Sequence, residues 1–122
     1  MQNSAVYAIL FRYEAIKQSV YNRRFIIIQL HVTYTMKPGI HPKAFFDALN
    51  AANIPSLCRH EKGNIRYSYY LPADNDNQLF LLEIWKNNDA LTDHQQTSHF
   101  LQIPSIKEKY VAHTDLQRFE FE

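Results

Sequence analysis

Phe80-Leu81-Leu82-Glu83-Ile84-Trp85-Lys86-Asn87-Asn88-Asp89-Ala90-Leu91-Thr92-Asp93-His94-Gln95-Gln96-Thr97-Ser98-His99-Phe100 is the stretch on which the fold turns. It opens as a strand that is apolar on both faces as far as Leu82, the pattern of a strand in the middle of a sheet. Asn87 or Asn88 then offers a side-chain cap, and Asp89 places an acid in the first turn of a helix, at the favourable end of its dipole. That helix carries His94, with His99 just beyond. Two imidazoles and the only tryptophan thus gather near one strand-to-helix junction.

Upstream, residues 64 to 71 alternate, with Ile65, Tyr67, Tyr69 and Leu71 on one side. The polar run from Pro72 to Gln78 predicts a turn, so this segment and the strand at 79 to 85 form a hairpin. Residues 25 to 36 alternate as well: Ile26, Ile28, Leu30, Val32, Tyr34 and Met36 share one face, and Gln29, His31, Thr33 and Thr35 the other. Lys37-Pro38-Gly39 ends that strand. A helix is expected from His41 to about Asn53, burying Phe45, Ala48, Leu49 and Ala52 at helical spacing. Pro55 opens a short helical piece that Gly63 closes. Downstream, Pro104 is expected to interrupt or restart the helical stretch, and residues 114 to 121 form a last strand. The order β-α-β-β-α-β is the ferredoxin-like split arrangement, an α+β fold. Helices on one face leave the other sheet face bare, so a homodimer is the expectation.

The division drawn from this pattern is an N-terminal extension at 1–24 and a folded domain at 25–122. Val6, Ile9, Leu10, Tyr13, Ile16 and Val20 recur at helical spacing. They predict an amphipathic helix docked on the domain or on a partner; a dispensable tail from a mis-assigned start codon is the alternative.

The 122 residues suit one folded domain. Thirteen basic side chains against twelve acidic ones give no electrostatic reason for nucleic-acid binding. No apolar run reaches the ~20 residues of a membrane helix, and no secretory signal pattern opens the chain. Cys58 stands alone, so no intrachain disulfide forms, a reducing cytoplasm is the expected home, and a buried apolar role suits the thiol.

Over residues 25 to 122 the sequence resembles the antibiotic biosynthesis monooxygenase (ABM) superfamily, nearest its quinol monooxygenase-like branch. The resemblance lies in the strand ending Lys37-Pro38-Gly39, the Glu61 to Tyr67 segment before the hairpin, Leu82-Glu83-Ile84-Trp85, the block from His94 to Phe100, and Ile106 to Val111 before the last strand. It implies a ferredoxin-like fold of the dimeric α/β-barrel type, with a pocket between sheet and helices. It also implies oxygenation of a quinol or polyphenol-type small molecule by O2 with no metal, flavin or haem. The substrate is then its own reductant, and the protein takes a phenolic proton, holds the anion and excludes water.

Histidine suits the first task because its ordinary pKa of about 6.5 lets it accept a proton near neutrality. His94 and His99 are the candidate catalytic residues; His31, Tyr67, Tyr69 and Trp85 are the candidate substrate-binding residues. Each has a plainer role beside it: a backbone contact for His94, a helix-break cap for His99, an interface position for His31, core packing for Trp85. Glu83 reads as a paired structural acid. Histidines five apart do not share one helical face, and no adjacent carboxylate completes a ligand pattern, so no metal is assigned. The haem-degrading branch places a Trp near His94 and a His near Ile103 or Pro104, a mismatch that argues against haem breakdown. Two other functions stay open: an isomerase of small phosphorylated keto-compounds, and a non-catalytic ligand-binding dimer.

Overall fold

The computed structural model describes residues 4–122; residues 1–3 of the N-terminal extension, and the side chains of residues 4 and 18–24, lie outside the described part. Strand β1 (Ile27–Met36) buries Ile28, Leu30, Val32, Tyr34 and Met36 and leaves the residues between them half-buried, as a period-two pattern against a core requires. Helix α2 (Pro42–Ala51) starts with His41 Nδ1 accepting the Lys43 N–H at 3.1 Å and with Pro42 in the first turn, where its missing N–H costs nothing. It buries Phe45 and Leu49 against the sheet. Helix α3 (Ile54–Arg59) adds Ile54 and Cys58 to the same core.

Strands β2 (Asn64–Tyr70) and β3 (Gln78–Trp85) form the expected hairpin. Tyr67 pairs with Glu83 and Tyr69 with Leu81, so these four side chains share the face that meets the helices. An irregularity between Asn64 and Arg66 turns Ile65 outward, where it is 56% exposed; Leu71, past the strand end, is exposed too. Neither joins the core that simple alternation assigns them.

The helical stretch after β3 is two helices, α4 (Asn88–His94) and α5 (Ser98–Tyr110). The break falls at residues 95 to 97, and Pro104 lies inside α5, contrary to the expectation that Pro104 interrupts the stretch. Thr97 accounts for the position of the break. Its Oγ1 donates to the His94 carbonyl at 2.7 Å and accepts the Phe100 N–H at 3.2 Å, closing one helix and capping the next. Strand β4 (Val111–Phe121) follows α5 directly.

The four strands lie in the order β2-β3-β1-β4, all antiparallel, which is the ferredoxin-like arrangement. The expected barrel type is corrected here: the sheet is open. β2 and β4 are its two edges, separated by both central strands, and four strands are too few to close around a packed interior. Helices α2 to α5 and the core lie on one face. On the other, Gln29, His31, Thr33 and Thr35 stand beside Phe80, Leu82 and Ile84 of β3 and Phe119 of β4.

Helix α1 (Ser4–Phe25) precedes β1 and touches the rest of the chain at α4. Val6, Ile9, Leu10, Tyr13 and Ile16, the stripe expected to dock, are all exposed; the side chain of Val20 lies outside the described part. No described helix is long and apolar enough to cross a membrane.

Candidate active site

The phase of β3 turns Leu79, Leu81, Glu83 and Trp85 inward, so an acid is carried into the core with three apolar neighbours. Glu83 is 7% exposed, and its Oε1 accepts the Trp85 indole N–H at 3.1 Å. Burial pushes the Glu83 carboxyl up to about 7; the charge of Glu61 adds to the rise and the Trp85 hydrogen bond opposes it.

His94 ends α4 in the same interior, 1% exposed. Its ring lies 4.5 Å from that of Trp85, 5.0 Å from Phe100 and 5.9 Å from Tyr67, centroid to centroid. His94 Nδ1 is 2.7 Å from Glu61 Oε2, and His99 Nε2, in the first turn of α5, is 2.9 Å from the same oxygen. A carboxylate only accepts, so both imidazoles donate to it and each keeps its second nitrogen as an acceptor. Burial lowers the His94 pKa below the ordinary histidine value, against the hydrogen bond and charge of Glu61, which favour the cation. His94 Nε2 faces Glu83 Oε1 at 3.7 Å. Cys58 completes the group from α3: it is fully buried, and burial pushes its thiol up to about 12.

His94, His99, Trp85 and Tyr67 are therefore brought together. The Tyr69 hydroxyl donates to that of Tyr67 over 3.5 Å, and Tyr69 also lines a cavity of about 410 Å³ with Lys43, Phe46, Tyr70, Leu71 and Leu79. The imidazoles are not among its walls; between them and Tyr69 stands Tyr67, whose ring lies 5.9 Å from that of His94 and 5.7 Å from that of Tyr69. His31 stands apart on the bare sheet face, accepting from Gln29 Nε2 at 2.8 Å and flanked by Phe80 and Phe119.

Sequence reasoning missed Glu61 as the hub. It lies 33 and 38 residues from its two imidazoles, and only its place in the segment before the hairpin marked it. Glu83 carried a readable signal, a lone acid in the inward phase of a central strand, two residues before a tryptophan on the same face.

A family model described as antibiotic biosynthesis monooxygenase matches residues 27–103, from β1 into α5. The chain belongs to the ABM family. "Putative monooxygenase YcnE" of Bacillus subtilis is 31% identical over 71 residues, which cover 57% of this chain and 75% of that protein. "Uncharacterized protein sll1783" of Synechocystis is 43% identical over 42 residues, 34% of this chain; the match spans 29% of that longer protein. Among solved structures, PA3566 of Pseudomonas aeruginosa has a TM-score of 0.71 at 24% identity, covering 81% of this chain and 97% of its own. SnoaB of Streptomyces nogalater, described as a cofactor-independent oxygenase, has a TM-score of 0.64 at 17% identity, covering 79% and 93%. At these identities the two structures speak for the ABM fold alone.

Proposed function

We propose that this ABM protein is a cofactor-independent monooxygenase of quinol or polyphenol-type small molecules, with a histidine as proton acceptor, working as a homodimer joined through the bare sheet face. One observation carries the reading: two imidazoles held by a single carboxylate oxygen, in an aromatic interior largely closed to water. Glu61 fixes both tautomers, and a carboxylate behind an imidazole favours the protonated ring that forms when it accepts a proton.

Deprotonating a phenol gives an electron-rich anion that passes an electron to O2. For a hydroquinone the balance closes without a cofactor: substrate and O2 give a hydroxyquinone and water, one oxygen atom in each product, all four electrons coming from the substrate. The 410 Å³ cavity is of a size for such a ring and is walled by Phe46, Tyr69 and Leu79. Tyr69, at the cavity wall, and Tyr67, packed against the His94 ring, line the way from this cavity to the imidazoles. The family match and the relative named "Putative monooxygenase YcnE" support this class of reaction.

The test is O2 uptake by metal-stripped protein across a panel of hydroquinones. Turnover is expected, with His99→Ala slower by ~10²-fold or more. Activity that appears only on adding iron or flavin overturns the cofactor-free mechanism, and proton exchange on keto-compounds with no O2 uptake points to an isomerase.

A further inference from the structure

The five-residue spacing of His94 and His99 rules out a shared site on one continuous helix, but the helix is broken between them. Both rings turn to Glu61, and Cys58, one helical turn before Glu61, faces the same point. One ligand atom from each of Cys58, Glu61, His94 and His99 falls within 4.8 Å of the other three.

We infer that Cys58, Glu61, His94 and His99 form a binding site for a tetrahedral divalent cation, zinc foremost, and that its occupancy silences the imidazoles. Zinc bonds of about 2.0–2.3 Å place ligand atoms roughly 3.3–3.8 Å apart. The spacings present, 2.7 and 2.9 Å at Glu61 and up to 4.8 Å across the group, bracket that range. Side-chain shifts of about half an ångström each close the set on an ion. A sulfur, two imidazole nitrogens and one carboxylate oxygen select zinc over magnesium or calcium, which prefer oxygen ligands. A thiolate and a carboxylate also neutralise a dication, so the buried site takes on no net charge.

The surroundings of His94 match as well. A ligating histidine commonly donates its other N–H to a carboxylate, and Glu83 Oε1 waits 3.7 Å from His94 Nε2, itself held by the Trp85 indole. On binding, the Cys58 proton leaves to solvent, and each imidazole moves its proton to the nitrogen that does not ligate. No lone pair is then left on either ring to take a substrate proton. The silencing rests on the function proposed above; the binding does not.

The experiment titrates the metal-stripped full chain with Co2+, whose tetrahedral complexes absorb strongly in the visible and whose thiolate bond adds a near-ultraviolet charge-transfer band. One equivalent per chain is expected to give both features, and Zn2+ should bleach them. Cys58→Ser should lose the ultraviolet band and keep the visible ones. His99→Gln, at a ring near the surface of the site, should weaken binding about tenfold or more with unchanged circular dichroism. A weak octahedral spectrum, or spectra that neither substitution alters, overturns the site. The two readings fail separately: protein that binds Co2+ as described but consumes no O2 keeps the site and loses the oxygenase. Protein that turns over yet gives no tetrahedral spectrum and ignores stoichiometric zinc does the reverse.

Discussion

Glu83 is neutral at little cost and charged at a large one. Its carboxyl ionises at about 7 in the fold against an ordinary 4.5, so between those values the unfolded chain releases a proton that the folded chain keeps. Stability therefore falls as pH rises from 4.5 through about 7, by on the order of 3 kcal/mol in all. His94 acts in the opposite sense: its lowered pKa removes stability as pH drops below the ordinary histidine value. The windows overlap, so a difference between two proteins reads Glu83 more cleanly than one curve does. Glu83→Gln keeps an acceptor for Trp85 and abolishes the ionisation. Its melting temperature should gain on the wild type between pH 4.5 and 8, and a constant difference across that range would remove Glu83 from the account. Glu61→Gln addresses the hub. Both imidazoles donate to the one oxygen Oε2, so an amide oxygen in its place leaves each a weaker, uncharged acceptor that no longer favours the protonated ring, and an amide nitrogen in its place leaves neither an acceptor. We expect kcat to fall ~10²–10⁴-fold with KM little changed; equal losses in binding would instead make Glu61 a substrate contact. The imidazoles were legible in the sequence because histidine has few reasons to cluster near a tryptophan. Their shared carboxylate was not, because a contact across more than thirty residues leaves no periodic trace.

Two short elements hold that hub in place. One is the break at residues 95 to 97, which Thr97 makes by serving both helices. The Pro104 reading failed because a proline is a strong mark in sequence, whereas a threonine cap is a common one. The strands fared better: alternation gave the buried faces of β1 and β3, and it slipped along β2, at the irregularity beside Asn64, where Ile65 leaves the pattern, and past the strand end, where Leu71 is exposed. The second element is the turn through Gly63, between Glu61 and β2. Gly63 has φ +94, and a Cβ there would sit 2.6 Å from Ala90 Cβ on α4. Gly63→Ala must strain the backbone and push α4, with His94 at its end, away from Glu61. A loss of about 2–4 kcal/mol in urea unfolding is expected, with activity reduced in the protein that remains folded. A variant as stable as the wild type would show that α4 gives way freely at this point.

At the scale of the molecule, the order of elements along the chain followed from the sequence while closure did not, since an edge is a property of the whole sheet and not of any strand. Among the described residues, the open sheet has one face covered by helices and one left bare. The described side chains of α1 are exposed along residues 5 to 17, so a chain beginning at residue 24 should melt within ~2 °C of the full one. The bare face is different in kind. Half-buried Phe80, Leu82 and Ile84 lie level with His31, Thr33 and uncharged Gln29, and Phe119 extends the patch onto the edge strand. Apolar side chains interleaved with uncharged polar ones suit a self-complementary contact about a two-fold axis better than open water does. Phe80 and His31 meet edge to face near its centre, 5.5 Å apart, so an arginine at position 80 would bury a charge beside its own symmetry mate. Sedimentation at micromolar concentration should find the wild type at twice the single-chain mass and Phe80→Arg at the single-chain mass, with the fold intact by circular dichroism. A wild type that sediments as one chain, or a Phe80→Arg variant still paired, would move the interface off this face.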